Sequence, residues 1–124
     1  DSASTGGDMG KASLAYGRGK IINAAALYNT LALDGVWLDF RDPDGCKEET
    51  LYVKTMGFKG RFAIHPDQIK PIHDAYRPTT EELEWAKGVL EEAKTAGSGA
   101  FKYQGKMVDA PVLAVARLII LRED

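Results

Sequence analysis

The sequence predicts an α/β fold made of parallel β/α units, and two observations carry that prediction. "GVWLDF" (residues 35–40) and "GRFAIHP" (residues 60–66) are short, nearly continuous apolar runs that end in polar residues, the pattern of buried parallel strands. Around them the apolar residues return at helical spacing, and strands that alternate with helices build parallel sheets. Two such strands alone would leave long unpaired edges. The chain is therefore expected to be the end of a larger β/α barrel, or to assemble with other pieces. Its glycine-rich start, with Gly6, Gly7 and Gly10, favours the first.

The elements follow in order. Residues 1–13 are small and polar and read as a loop or as the edge of a cut. From Arg18 to Tyr28 the apolar residues Ile21, Ile22, Ala25 and Ala26 mark an amphipathic helix. After the first strand, "DPDG" marks a turn. A second helix covers residues 46–56, with Leu51, Val53 and Met56 expected to face inward and Gly57 placed to end it. After the second strand, Asp67 can cap a helix carrying Ile69, Ile72 and Tyr76, with Pro71 near its first turn where a missing N–H costs least. "PTTEELEWAKGVLEEAKTAG" is the clearest helix: Thr79 and Glu82 form a capping box, Leu83, Ala86, Leu90 and Ala93 form the stripe, and Gly97 stops it. "GAFKYQGKMVD" alternates like a small hairpin around Gln104-Gly105. Asp109 and Pro111 open a last helix with Val112, Val115, Ala116 and Ile119 on one face.

Composition narrows the function classes. The 124 residues are 44% hydrophobic and 27% charged, an ordinary globular balance, and suit one domain or part of one. A net charge of -2 gives no electrostatic footprint for nucleic acid or a membrane surface. No apolar run approaches the roughly 20 residues of a membrane span, and the start has no apolar core of a signal peptide. Cys46 is the sole cysteine, so an internal disulfide is excluded and a cysteine zinc site is disfavoured. A reducing, cytoplasmic setting fits.

In β/α barrels the active site lies at the carboxyl ends of the strands. The first strand ends with Asp39, Arg41 and Asp42, the second with His65 and Asp67. Asp42, beside Pro43 and Asp44, has the chemistry of a turn, and Asp67 that of a helix cap. Arg41 can pair with a neighbouring carboxylate. Asp39, expected to be buried at its strand end, needs a partner or a ligand. His65 has no acid partner evident in the sequence and reads as structural or ligand-lining rather than as a general base. His73 reads as helix surface. There is no phosphate loop, HExxH motif or nucleophile elbow, and the carboxylates are too scattered to announce a Mg²⁺ site. Asp109 is, on local rules, a good helix cap.

Three stretches in order, "LDGVWLDFRDPDG", "GFKGRFAIHPDQI" and "GAFKYQGKMVDAPVLAVAR", together with "PTTEELEWA" between them, resemble the citrate lyase β-subunit-like family within the HpcH/HpaI aldolase group, which includes malyl-CoA and citramalyl-CoA lyases. The resemblance covers about residues 16–117. It implies the C-terminal part of a TIM (β/α)8 barrel, about strands 7 and 8, over residues 1–76, and a C-terminal helical extension with a small hairpin over 77–124. It also implies a Mg²⁺-dependent carbon–carbon lyase acting on hydroxyacyl-CoA thioesters such as malyl-CoA or citramalyl-CoA. An acyl-CoA thioesterase of the same family and a non-catalytic assembly module are the alternatives. The partners implied are a CoA thioester substrate and a neighbouring subunit of a homo-oligomer, a trimer or hexamer. Asp109 matches an aspartate supplied to a neighbouring subunit for proton exchange at the enolate carbon. Ile64, His65 and Pro66 match a loop near CoA, and Asp39 joins them as a substrate-binding candidate. The family's metal ligands match no assigned position, with Asp1 a weak candidate, so the chain alone is expected to be inactive.

Overall fold

The two expected strands pair in parallel, but earlier in the sequence than the apolar runs suggest. The computed structural model describes residues 8–123, and the chain divides into two compact units, Asp1–Tyr76 and Arg77–Asp124.

In the first unit, helix α1 (Asp8–Leu27) leads to strand β1 (Leu33–Asp34), helix α2 (Pro43–Met56), strand β2 (Gly60–Arg61), a 3-10 turn (Pro66–Gln68) and helix α3 (Ile69–Tyr76). β1 and β2 are parallel, with Leu33 opposite Gly60 and Asp34 opposite Arg61. Flanking bonds from Lys59 N–H to the Ala32 carbonyl (2.9 Å) and from Phe62 N–H to the Asp34 carbonyl (3.2 Å) lengthen the pairing slightly. Residues 35–40 and 62–65, expected as strand, lie outside the ladder. Their backbones part and a side chain bridges them, as described below.

α1 starts ten residues before the expected Arg18, through a stretch expected as loop. Gly17 and Gly19 within it cost about 1 kcal/mol each relative to alanine, so tertiary contacts must hold this helix. Arg18 is buried, Ala25 packs into a core with Ala32, Val53 and Phe58, and the Lys11 ammonium lies 4.9 Å from the Tyr52 ring centroid.

α2 begins with Pro43, and the Asp42 side chain accepts the Gly45 N–H (2.9 Å); Gly57 ends it at φ 116°, a conformation that favours glycine. Its buried stripe is Cys46, Glu49, Thr50 and Val53. Leu51, expected inside, is 42% exposed. The stripe is chosen by a charge: Glu49 has buried partners on two other elements, Arg18 of α1 and Arg61 of β2. A second small core joins Trp37, Cys46 and Ile72, with Tyr76 against it.

In the second unit, helix α4 (Thr80–Ala96), the antiparallel hairpin β3 (Phe101–Tyr103) and β4 (Lys106–Val108), and helix α5 (Ala110–Leu121) enclose Ala86, Val89, Val108 and Ala116. The capping box at Thr79 is complete, its backbone N–H bound by Glu82 at 2.9 Å and its hydroxyl accepting the Glu82 N–H at 3.1 Å. Gln104 and Gly105 both have positive φ (49° and 78°), as a two-residue hairpin turn requires. A Cβ on Gly88 would fall 1.9 Å from the Tyr103 hydroxyl, so this glycine lets the hairpin approach α4. Val115, expected on the inner face of α5, is 52% exposed.

Candidate functional site

The strand pair carries charge on one face. Asp34 and Arg61 are ladder partners, and both are buried with Arg18 of α1 and Glu49 of α2. The Arg61 guanidinium donates to Asp34 (3.0 Å), Glu49 (2.8 Å), the Thr50 hydroxyl (3.2 Å) and the Gly35 carbonyl (3.1 Å). Arg18 donates twice to Asp34 (3.2 and 2.9 Å) and once to Glu49 (3.3 Å). Two cations and two carboxylates therefore balance. Burial acts to lower the Arg18 pKa, but hydrogen bonds and charge from Asp34 and Glu49 outweigh it and the net direction is upward. Arg18 Nη1 has no partner among the described residues. A charge-balanced cluster of this kind locks the helices to the strand pair, because losing one member strands another buried charge.

The cluster fixes the amino ends of the site and leaves the carboxyl ends to local turns. After β1, Asp39 does not occupy the buried position expected of it. It is exposed, and its carboxylate accepts the Arg41 N–H (3.1 Å), a turn closed by its own side chain. After β2, His65 rather than Asp67 caps the 3-10 turn: His65 Nδ1 accepts the Asp67 N–H at 3.2 Å. An Nδ1 that accepts carries no proton, so in this arrangement the ring bears it on Nε2. The Asp67 carboxylate lies beside the same nitrogen, its Oδ2 3.6 Å from Nδ1, a contact that becomes an ion pair only when the ring is protonated. The imidazole stacks on Phe40, centroids 4.7 Å apart and planes 17° from parallel, and the Arg41 guanidinium lies 5.5 Å from the same ring centroid. Phe40, Ile64 and Pro66 are exposed and His65 is partly so. The strand ends thus present two stacked rings, a cation and an isoleucine to solvent, a surface suited to a planar group bearing negative charge.

Asp109 belongs to the second unit. It is exposed, and its Oδ1 accepts the Val112 N–H at 3.3 Å as the cap of α5. It borders a depression of about 360 Å³ whose lining includes Gly97, Ser98, Phe101, Leu113 and Arg117. Asp1 lies outside the described residues, and among those described no group of three His, Cys, Asp or Glu could hold a metal ion.

Two features escaped the sequence reading. One is the charge cluster; its signal was an isolated charge inside each apolar stretch, Asp34 in "LALDGVW" and Arg61 in "GRFAIHP". The other is Gln68, 1% exposed, whose amide binds the Ile64 N–H (2.9 Å) and the Trp37 carbonyl (2.6 Å). Nothing in its local pattern distinguishes it from a surface glutamine of a helix start.

The model of a carbon–carbon bond lyase family of the TIM-barrel fold matches residues 19–123. The mitochondrial citramalyl-CoA lyase of Rattus norvegicus is 38% identical over 108 residues, 85% of this chain and 32% of that protein. The citrate lyase subunit beta-like protein of Mycobacterium tuberculosis is 42% identical over 105 residues, 85% of this chain and 38% of that protein. A crystal structure of the protein CitE from Mycobacterium tuberculosis, in complex with magnesium, acetoacetate and coenzyme A, superposes with a TM-score of 0.72 at 42% identity, over 86% of this chain and 39% of that one. The chain spans about a third of the length of these relatives. With the family model covering most of both units, this chain belongs to the carbon–carbon bond lyase family of the TIM-barrel fold.

Proposed function

We propose that this chain is part of an enzyme that cleaves or forms a carbon–carbon bond in a hydroxyacyl-CoA thioester, with citramalyl-CoA or malyl-CoA as substrate. The observation that carries the reading is the match of residues 19–123 to the lyase family, since it includes both the strand-end loop around His65 and the start of α5 at Asp109. The relatives' names and the coenzyme A bound to the Mycobacterium protein support the substrate class. The strands correspond to about the seventh and eighth of the barrel. Residues 77–124 form a C-terminal extension that serves a neighbouring subunit in a homo-oligomer, a trimer or hexamer.

Within that reading, Ile64, His65 and Pro66 line the CoA site, and the stacked Phe40 and His65 rings with Arg41 suit the planar base and phosphates of CoA. Asp39, closed on Arg41 in a turn, contributes by shaping that edge. Asp109 exchanges the proton at the carbon next to the thioester. In condensation its carboxylate takes a proton from the acetyl-CoA methyl group. In cleavage the substrate hydroxyl loses its proton to a base as the carbon–carbon bond breaks and the new carbonyl forms, and Asp109 then gives a proton to the enolate carbon. Mg²⁺ is a component of the complete enzyme in this reading, but the described residues offer it no ligand set, and the roles above depend only on this chain's own side chains.

The test is product analysis with the complete protein. Citramalyl-CoA should give acetyl-CoA and pyruvate, and malyl-CoA should give acetyl-CoA and glyoxylate. Release of free CoA thiol with the hydroxy acid left intact would replace the lyase with a thioesterase, and no turnover of either thioester would support an assembly module.

A further inference from the structure

Past Phe62 the two strands exchange no further backbone hydrogen bond among the described residues. Yet Ile64, His65 and Pro66, the exposed loop at the end of the second strand, need a fixed position if they are to hold a ligand. We propose that Gln68 is the positioning residue for this loop, its buried side-chain amide acting as an inserted peptide group between the separating strands. The inference rests on the reading of residues 64–66 as a CoA-binding loop.

The geometry is that of a ladder rung made by a side chain. Gln68 Oε1 accepts the Ile64 N–H at 2.9 Å, as the carbonyl of a neighbouring strand would. Its Nε2 donates to the Trp37 carbonyl at 2.6 Å, as a neighbouring N–H would. One residue therefore ties the end of the second strand to the end of the first. Gln68 is 1% exposed, so neither bond is open to replacement by water. Its backbone N–H is bound to the His65 carbonyl (3.0 Å), and the His65 ring caps the Asp67 N–H. Residues 64–68 are thus closed on themselves by two side-chain bonds, and among the described residues Gln68 supplies the hydrogen bond that ties this closed loop to the opposite strand, beside the stack of His65 on Phe40. The side chains it leaves in solvent, Ile64 at 53% exposure and the stacked His65, are the ones available to a ligand.

The test compares the complete protein with its Gln68→Met variant, which keeps length and packing volume but removes both hydrogen-bonding groups. Coenzyme A affinity is measured by calorimetry, kcat and KM with citramalyl-CoA, and Tm by calorimetry. The loop grips a part of the substrate remote from the reacting carbon, so binding should suffer more than the chemical step. The expected result is that Kd for CoA and KM rise about tenfold or more while kcat stays within about threefold. A lowered Tm with CoA affinity unchanged would show that Gln68 serves stability alone and overturn the proposal. If the unaltered protein does not bind CoA, the reading of the loop fails and the proposal with it. If the variant does not fold, hydrogen exchange on the unaltered protein decides the matter. The Ile64 amide should be protected like the core residue Val53 before CoA is added. An Ile64 amide that exchanges as fast as exposed ones until CoA binds would mean that the ligand, not Gln68, sets the loop.

Discussion

Replacing Asp109 separates a helix cap from a proton carrier, because the two roles predict opposite orders of damage. In the folded chain its side chain makes one bond, from Oδ1 to the Val112 N–H at 3.3 Å; the Leu113 N–H bonds to its backbone carbonyl (3.0 Å) and survives any substitution. Asp109→Ala therefore removes a single exposed cap, worth about 1 kcal/mol, and Asp109→Asn keeps it at a cost of a few tenths. Against a folding stability on the order of 10 kcal/mol, neither change unfolds a measurable fraction of the protein. If the carboxylate exchanges the proton at the enolate carbon, both variants lose it, and the expected fall in kcat is about 10²- to 10⁴-fold, or roughly 3–5 kcal/mol of activation free energy. Stability should thus rank the variants with asparagine near the original and alanine below it, while activity should place both at the same low level. The assays are Tm, pyruvate release from citramalyl-CoA by the complete protein, and exchange of acetyl-CoA methyl protons with D2O, which isolates the proton step. An Asp109→Asn protein that keeps more than about a tenth of its activity would refute the catalytic role and leave only the cap.

Other outcomes follow from the same structure. Arg61→Leu in the complete protein removes four hydrogen bonds and leaves a buried net negative charge among Arg18, Asp34 and Glu49, and urea denaturation should show a loss of about 3–5 kcal/mol. Adding Glu49→Leu restores neutrality, so the double variant should be more stable than the sum of the two single losses; strict additivity would refute the coupling. Burial pushes the Cys46 thiol pKa up from its ordinary value of 9.0. The folded state then keeps a proton that the unfolded state releases, so stability should be flat in this group at neutral pH and fall as pH rises above about 9, a slope that Cys46→Ala should reduce. Residues 1–124 alone, which span about a third of the relatives' length, should not turn over citramalyl-CoA; acetyl-CoA release at the rate of the complete protein would refute this.

Local rules were most legible where the chain obeys them alone. The Thr79 box, the glycine at the end of α2 and the Gln104-Gly105 turn all depend on neighbours within four residues, and each is where the sequence puts it. What misled was burial read as strand pairing. "GVWLDF" is apolar because Trp37 packs on Cys46 and Ile72, not because it lies in a ladder, and the ladder proper falls on Leu33–Asp34, where a carboxylate sits. Asp39 was expected to be buried because strand ends usually are; the chain turns over Asp39–Asp42, ahead of the expected "DPDG", and the Asp39 carboxylate closes that turn in solvent. Gln68 and Glu49 were illegible for a different reason. Their partners are far away in sequence, and a polar residue that is buried because a distant group satisfies it looks like a surface residue until both ends of the bond are known.

Asp34 and Arg61 point into the charge cluster against α1 and α2, so their neighbours must point the other way: Leu33 is 46% exposed and Phe62 59%. Leu33 covers Gly60, where an added Cβ would stand 3.1 Å from its Cδ2. A strand pair with paired charges buried on its helix side and large apolar groups bare on the other inverts what an isolated two-stranded sheet would choose. It is what a barrel needs, since the bare face is the one that other strands would enclose. Covering each of those side chains is worth about 1.5–3 kcal/mol. The buried charges hold the strand pair to its own helices and contribute little net stability against apolar substitutes. For this strand pair, covering the bare face would therefore add more stability than the charge cluster supplies.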